Sequence, residues 1–366
     1  MTYYHPVSCA VVRGGTTKGL FINTHELPDD KLQRDALILT LMGSPDLRQI
    51  NGLGGGDPLT SKVALISSSK NPDVDVEYLS GEVGIDEGAI NYSTMCGNLA
   101  SGVGIFALAT GLITAEYPQT TIKIRNMNTG KLLEASIPMS PDLTPLIKEC
   151  VNIDGVRGAG TEIKLTFIEP GGSITGEILP SGNPADILTV NQKNYRCSIV
   201  DCGTLYAFFP AEEFGLCGDE QPELLDLNEK FKEIVEQLRE AVARLLSQKL
   251  DRALLAKQIK IAIYADVPRT VDDHKELTAR VINRYKTHKA FPVTGAICIS
   301  AACVIPGTLL NGCKINDGVA YSVYIKHSEG VIATTSLSEM IDDQVTIKYA
   351  SVNRSARIIM CGTAYA

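Results

Sequence analysis

Short words from the first half of this chain return in the second half in the same order, and a chain written twice is constrained to fold as two similar units. Val12-Arg-Gly-Gly-Thr16 is answered by Val200-Asp-Cys-Gly-Thr204, Lys62-Val-Ala-Leu-Ile66 by Lys260-Ile-Ala-Ile-Tyr264, and Cys96-Gly97 by Thr294-Gly295. Lys62 to Cys96 and Lys260 to Thr294 are both intervals of 34 positions (96 − 62 and 294 − 260). Each copy of the first word sits between alternating apolar runs: Ser8 to Val12 and Leu20 to Ile22 in one, Ser198 to Val200 and Leu205 to Phe209 in the other. Such runs around a glycine turn predict paired strands.

Two further stretches, Leu99 to Thr110 and Ala296 to Val304, carry almost no charge and many small residues. A helix that is apolar on every side has to be buried, so each half is expected to wrap its strands around its own helix. The expected fold is α+β: two pseudo-symmetric domains, 1–185 and 186–366, each a curved β-sheet around a central buried helix. The final strand is a candidate to return to the N-terminal domain. A length of 366 residues suits two cores better than one. The cleft between the domains is expected to receive both helix starts, at Gly97 and Gly295, whose open N–H groups and partial positive charge suit carboxylates. In the second half, Pro222 to Lys257 sets Phe231, Ile234, Val235, Leu238, Val242 and Leu245 among charges, which predicts one or two amphipathic helices packed on the surface. A role for them in homo-oligomer contacts is the lesser expectation.

Composition serves mainly to exclude. A formal net charge of −8 argues against nucleic acid and anionic membranes as partners, both of which need a concentrated basic surface, but leaves a small anion open. Met1 to Val12 lacks a basic leader, and no apolar run reaches the roughly 18 residues of a membrane helix, so a cytoplasmic protein is expected. The ten cysteines are scattered, without a CxxC pair, and read as reduced thiols, with Cys9, Cys298, Cys303 and Cys361 expected to be buried and inert. Five histidines without a short-spaced cluster argue against a metal, and the absence of a GxGxxG turn after a strand argues against a dinucleotide cofactor.

The segment Asn51-Gly-Leu-Gly-Gly-Gly-Asp-Pro-Leu-Thr-Ser-Lys62 looks like a phosphate loop but fails its test. A Walker lysine follows glycine and opens a helix, whereas Lys62 follows Ser61 and opens an apolar, strand-like run. The glycines are expected to fold tightly or approach a ligand, holding Lys62 at the start of a buried strand. Cys96 precedes the first small-residue helix, a position that stabilises a thiolate and suits proton exchange.

Four ordered motifs, Arg13-Gly-Gly-Thr-Thr-Lys-Gly19, Gly54-Gly-Gly with Thr60-Ser-Lys62, Cys96-Gly-Asn98, and His288-Lys-Ala-Phe-Pro-Val-Thr-Gly-Ala296 with Ile305-Pro-Gly-Thr308, resemble the PrpF family of methylaconitate isomerases from about residue 7 onward. The resemblance implies a diaminopimelate epimerase-like fold and a cofactor-independent isomerase that moves an allylic proton in a small unsaturated polycarboxylate. Lys62 and Cys96 match the family's proposed proton carriers. The implied substrate is aconitate or 2-methylaconitate, with 4-oxalomesaconate tautomerisation, methylitaconate isomerisation and an accessory role beside an aconitase-like dehydratase as alternatives. Related epimerases use two opposed cysteines, and Thr294 in place of the second disfavours racemisation. On this reading Gly97, Asn98, Thr294, Gly295 and Ala296 hold carboxylates, hydroxyls of Thr16, Thr17 and Ser61 assist, and Arg13, Lys260 and His288 are further substrate contacts. For Lys62 to act as a base, burial and cationic neighbours are expected to lower its pKa.

Overall fold

The computed structural model describes residues 5–148, 152–247, 251–267, 274–283, 286–312, 318–342 and 344–366. Two compact units emerge: Met1–Thr166 with Asn353–Ala366, and Phe167–Val352. Residues 167–185, assigned to the first half from sequence, group with the second unit. They are tied there by Gly172 N–H donating to Asp201 O (2.8 Å) and Asp201 N–H to Ile178 O (3.0 Å).

The first unit opens with β1 (Pro6–Gly14), β2 (Thr17–Asn23), α1 (Lys31–Met42), β3 (Lys62–Ser68), β4 (Val76–Val83) and β5 (Ile90–Asn91). There follow α2 (Gly97–Ala100), α3 (Val103–Ala109), β6 (Gln119–Asn126), β7 (Leu132–Pro138), β8 (Ile147–Lys148) and β9 (Gly160–Ile168). Along the main sheet β1–β2 is antiparallel, β2–β3 parallel, β3–β4 antiparallel, β4–β6 parallel and β6–β7 antiparallel. β7 also pairs with β9. The sheet curves around α2 and α3: α2 packs on β1 and β2, α3 on β3 and β7, and Phe106 meets Phe21 at 5.7 Å between ring centroids.

The second unit comprises β10 (Asp186–Val190), β11 (Lys193–Asp201), β12 (Leu205–Pro210), α4 (Pro222–Leu227), α5 (Glu229–Leu246) and α6 (Arg252–Gln258). It continues through β13 (Lys260–Asp266), β14 (His274–Ile282), α7 (Val293–Val304), β15 (Tyr321–His327), β16 (Gly330–Ile341) and β17 (Gln344–Tyr365). The pairing senses repeat those of the first unit: β11–β12 antiparallel, β12–β13 parallel, β13–β14 antiparallel, β14–β15 parallel, β15–β16 antiparallel. All of α7 is buried, packed against β11, β12, β15 and β16. The last part of β17 belongs to the first unit and pairs antiparallel with β1, from Pro6↔Tyr365 to Gly14↔Ala356.

The continuous apolar word of β3 has a simple cause, because both faces are covered. Val63 and Leu65 pack with Ile38, Leu41 and Met42 of α1, while Ala64 and Ile66, also buried, face the other way. α1 is bounded by Asp30, which accepts from Gln33 N–H at 2.9 Å, and by Gly43 at φ 73°.

Three expectations are corrected. The helix foreseen over Leu99 to Thr110 is broken at Ser101–Gly102, where the Ser101 hydroxyl and N–H both take the Asn98 carbonyl and Gly102 N–H turns back to Leu99 O. Pro222 to Lys257 forms three helices, and the stripe of α5 ends on Leu246 rather than on Leu245, which is exposed. Cys361 is exposed, whereas Cys9, Cys298 and Cys303 are buried as expected.

The repeated turn has a backbone reason: Gly15 and Gly203, at matching places in the two words, adopt φ of 51° and 72°. A Cβ at Gly203 meets only ordinary contacts from 3.6 Å outward, while one at Gly15 would lie 2.1 Å from Asn98 Oδ1. Gly203→Ala should therefore cost about 1–2 kcal/mol from backbone strain alone, and Gly15→Ala about 1–3 kcal/mol more from the clash. Urea unfolding midpoints of the two variants will check the order.

Candidate active site

Side chains alternate across a strand, so Tyr78, Ser80 and Glu82 of β4 share one face. That face carries three separate tasks. Tyr78 O–H donates to Cys96 O (3.0 Å), Ser80 Oγ accepts from Cys96 N–H (3.0 Å), and Glu82 Oε1 receives Lys62 Nζ at 2.8 Å. Lys62 and Glu82 are direct cross-strand partners in the β3–β4 ladder, so the two side chains project to the same side. One strand thus brings Lys62 and Cys96 together over a single sheet face.

Lys62 is nearly enclosed, its side chain 8% exposed against 45% for Glu82. Burial disfavours its ammonium, but the charge and hydrogen bond of Glu82, together with Cys96 and Asp57, outweigh burial and leave the Lys62 pKa above the ordinary lysine value. The expected fall is thereby corrected: the neighbours are anionic, and Lys62 rests as a cation. Burial, reinforced by Cys96, pushes the Tyr78 pKa well up, so Tyr78 stays a phenol able to donate.

The loop ahead of Lys62 is built around Gln49, a buried residue that sequence reasoning passed over. Its Nε2 donates to Ser44 Oγ (2.8 Å) and Ser61 Oγ (2.7 Å), and its Oε1 accepts from Gly56 N–H (2.9 Å). A Cβ on Gly54 would sit 2.1 Å from that Oε1, and one on Gly55 2.3 Å from Thr60 Oγ1, so these glycines serve tight folding. Ser61 is 2% exposed, gives its proton to Val83 O (2.9 Å) and accepts from Gln49 Nε2 (2.7 Å).

Cys96 is half-buried and occupies the N-cap of α2 without a side-chain capping bond. Ala100 N–H returns to Cys96 O (3.0 Å), while the N–H groups of Gly97, Asn98 and Leu99 meet no protein acceptor among the described residues. With the helix broken after four residues, the positive character here rests on these three amides more than on a long helix dipole. The Asn98 side chain is committed inward: Nδ2 donates to Thr16 Oγ1 (3.1 Å) and Oδ1 accepts from Arg354 Nη2 (2.8 Å). Arg13 donates to Ser355 O (2.6 Å) and Ser355 Oγ (2.8 Å), and Thr17 is buried at 1% exposure. A Cβ at Gly14 would approach Asn98 O to 2.3 Å, which explains the paired glycines of the Arg-Gly-Gly-Thr word.

In the second unit Lys260 opens β13 and pairs with Tyr206. Thr294, Gly295 and Ala296 lie in the first turn of α7, capped by Pro292, with Ala296 N–H donating to Pro292 O (2.9 Å). Gly295 is required there, since a Cβ would fall 2.6 Å from the Tyr206 hydroxyl. His288 Nδ1 lies 2.7 Å from Ala290 O, which orients its ring within the preceding loop. Cys217, Asp219 and Glu220 bring metal-ligating atoms together at the surface, but the Glu220 carboxylate is already engaged by the N–H groups of Cys217 and Gly218.

A family model described as "PrpF protein" matches residues 5–366. The chain is 33% identical over 372 residues to 3-methylitaconate isomerase of Eubacterium barkeri, covering 98% of this chain and 97% of that one. It is 31% identical over 386 residues to 2-methyl-aconitate isomerase of Shewanella oneidensis, covering 97% and 96%. The crystal structure of a methylitaconate-delta-isomerase superposes with a TM-score of 0.80 at 32% identity, over 100% of this chain and 96% of that chain. A hydroxyproline epimerase from Agrobacterium vitis shares the fold, with a TM-score of 0.58 at 12% identity over 99% and 93%. The architecture is the epimerase-like α+β fold expected from the motifs.

Asn98 links a buried arginine to the turn that seats α2. Asn98→Ala should cost about 2–3 kcal/mol, because it removes a bond to a charged group and leaves Arg354 further unsatisfied. Chemical denaturation of the variant beside the parent protein measures this.

Proposed function

Because the chain belongs to the PrpF family, we propose that this isomerase moves an allylic proton in a small unsaturated polycarboxylate, with Lys62 and Cys96 as its proton-carrying pair. The observation that carries this reading is the shared face of β4, which holds the Lys62 partner and both backbone anchors of Cys96 on alternate residues. A proton next to a conjugated, carboxylate-bearing double bond is acidic only when the resulting dienolate is stabilised. The open N–H groups of Gly97, Asn98 and Leu99 suit that charge, as oxyanion donors do elsewhere, each being worth about 3 kcal/mol where it acts on the transition state.

Aconitate and 2-methylaconitate are the substrates of first choice. The names of two relatives, 3-methylitaconate isomerase and 2-methyl-aconitate isomerase, support a short branched skeleton with an exchangeable allylic position. Oxalomesaconate and methylitaconate follow as alternatives, and an accessory role beside an aconitase-like dehydratase after them. In the second unit Thr294, Gly295 and Ala296, with Lys260 and His288, are the candidates for substrate contact. Their substitution should act on KM more than on kcat if they bind ground and transition states alike.

Proton NMR in deuterium oxide, on protein dialysed against a chelator, tests the reading with cis-aconitate, trans-aconitate, 2-methylaconitate, oxalomesaconate and 3-methylitaconate in turn. Interconversion with deuterium entering an allylic carbon is expected for one of them. Lys62→Met and Cys96→Ala should each lose about 10²–10⁴-fold in kcat while keeping the parental circular dichroism. Near-parental turnover in both variants would remove the assignment.

A further inference from the structure

Resting on the reading of Lys62 and Cys96 as proton carriers, we infer that Glu82 is a positioning residue that fixes Lys62 as the acid of the pair and leaves Cys96 as the base. Lys62 and Glu82 are opposite one another in the ladder and bonded at 2.8 Å. Lys62 has almost no access to water, while Glu82 is half-exposed. The charged groups that face Lys62 are Glu82 from β4, Cys96 from the turn before α2 and Asp57 from the loop before β3, all of them anionic when ionised. To act first as a base, Lys62 would have to give up its proton beside a carboxylate in contact with it, in a setting where every neighbour favours keeping it. Cys96 has the opposite surroundings, with three open N–H groups following it in the chain and an ammonium over the same sheet face.

The proton count closes without a co-reactant. The Cys96 thiolate takes the allylic proton, so that a C–H bond breaks, an S–H bond forms and the electron pair passes into the conjugated carboxylate system. The Lys62 ammonium then protonates the distant carbon of that system, breaking N–H and forming C–H. A proton passing from the Cys96 thiol to the Lys62 amine restores the starting charges.

Glu82→Gln keeps the shape and removes the charge. Burial then dominates at Lys62, so the ammonium is lost at lower pH, and an enzyme that needs that ammonium loses activity at lower pH too. Two measurements decide the matter: the titration of the Lys62 side chain by NMR, assigned against Lys62→Met, and the pH profile of kcat. Both the titration and the alkaline limb of kcat should move acidward by about one unit or more in Glu82→Gln, with Glu82→Asp restoring part of each shift. An unmoved Lys62 titration overturns the inference, and so does a moved titration beside an unmoved alkaline limb. Failure of the wider reading shows separately, as full turnover in Lys62→Met.

Discussion

A lysine cannot be taken out of water without a counter-charge, because the desolvation of an unpaired ammonium costs several kcal/mol. Glu82 supplies that counter-charge to Lys62, and much of the first unit's local design follows from the need to place the two together. The β3–β4 ladder has to be in the register that sets residue 62 opposite residue 82. A slip of one residue would turn Lys62 toward α1 and Val63 toward the site, exchanging an ion pair for an apolar residue on one face and burying a charge on the other. The apolar packing of Val63, Leu65 and Val83 with α1 is therefore also what holds this register.

The same frame occurs twice in the chain, with different ionisable groups in the two copies. Both units repeat the same order of parallel and antiparallel neighbours, the same positive-φ glycine in the turn of an antiparallel pair (β1–β2 and β11–β12) and a buried helix begun by small residues. Arg13 of the first word is Asp201 in the second, where it is fully buried and its Oδ2 accepts from the N–H groups of Ile174 and Thr175 and from the Thr175 hydroxyl. A position that ties a turn to the returning strand in one unit thus pins a preceding loop in the other. In the repeated words Thr294 answers to Cys96, but it lies in the first turn of α7 whereas Cys96 is the N-cap of α2. Inheritance of the frame preserved the small residues against which a helix start can pack. The ionisable groups at equivalent places were free to change.

Apolar periodicity, glycine words and the repeat made the fold class, the paired strands and α7 readable, since each reflects local chemistry and burial acting over a few residues. Lys62 and Cys96 were legible as candidates because each stands at the start of an element. The break in the helix after Cys96 was not, because it arises where Ser101 competes for a backbone carbonyl and Gly102 lies close to Phe21 and Val12. Glu82 was hidden for a different reason: it becomes meaningful only through register, which the length of the β3–β4 connection sets and composition does not show. Had the alternation of Tyr78, Ser80 and Glu82 been set against β3 as a hairpin, the cross-strand carboxylate would have been within reach of the sequence. The Lys62 pKa lies above its ordinary value, against the expected fall, because the neighbours expected to be cationic are anionic.

Arg354 marks the other limit of sequence reading. It stands 256 positions from Asn98 and arrives through the last strand, with its Nη2 on Asn98 Oδ1. Its Nε has no partner among the described residues, and burial with the repulsion of Arg13, partly offset by Asp154, brings its pKa down to about 10. Even so it remains a cation at neutral pH. Arg13, Arg354 and Lys62 are thus all wholly or partly withdrawn from solvent around the Gly14–Gly15 turn, the Asn98 side chain and the sheet face beneath Cys96. Buried charges are screened less by salt than surface ones, so the balance there is set by Arg13, Arg354 and the Glu82-paired Lys62 rather than by a net charge of −8 spread over the whole chain. Overall charge excludes classes of partner, whereas the sign of the field at a site is set by the few charges that folding removes from water.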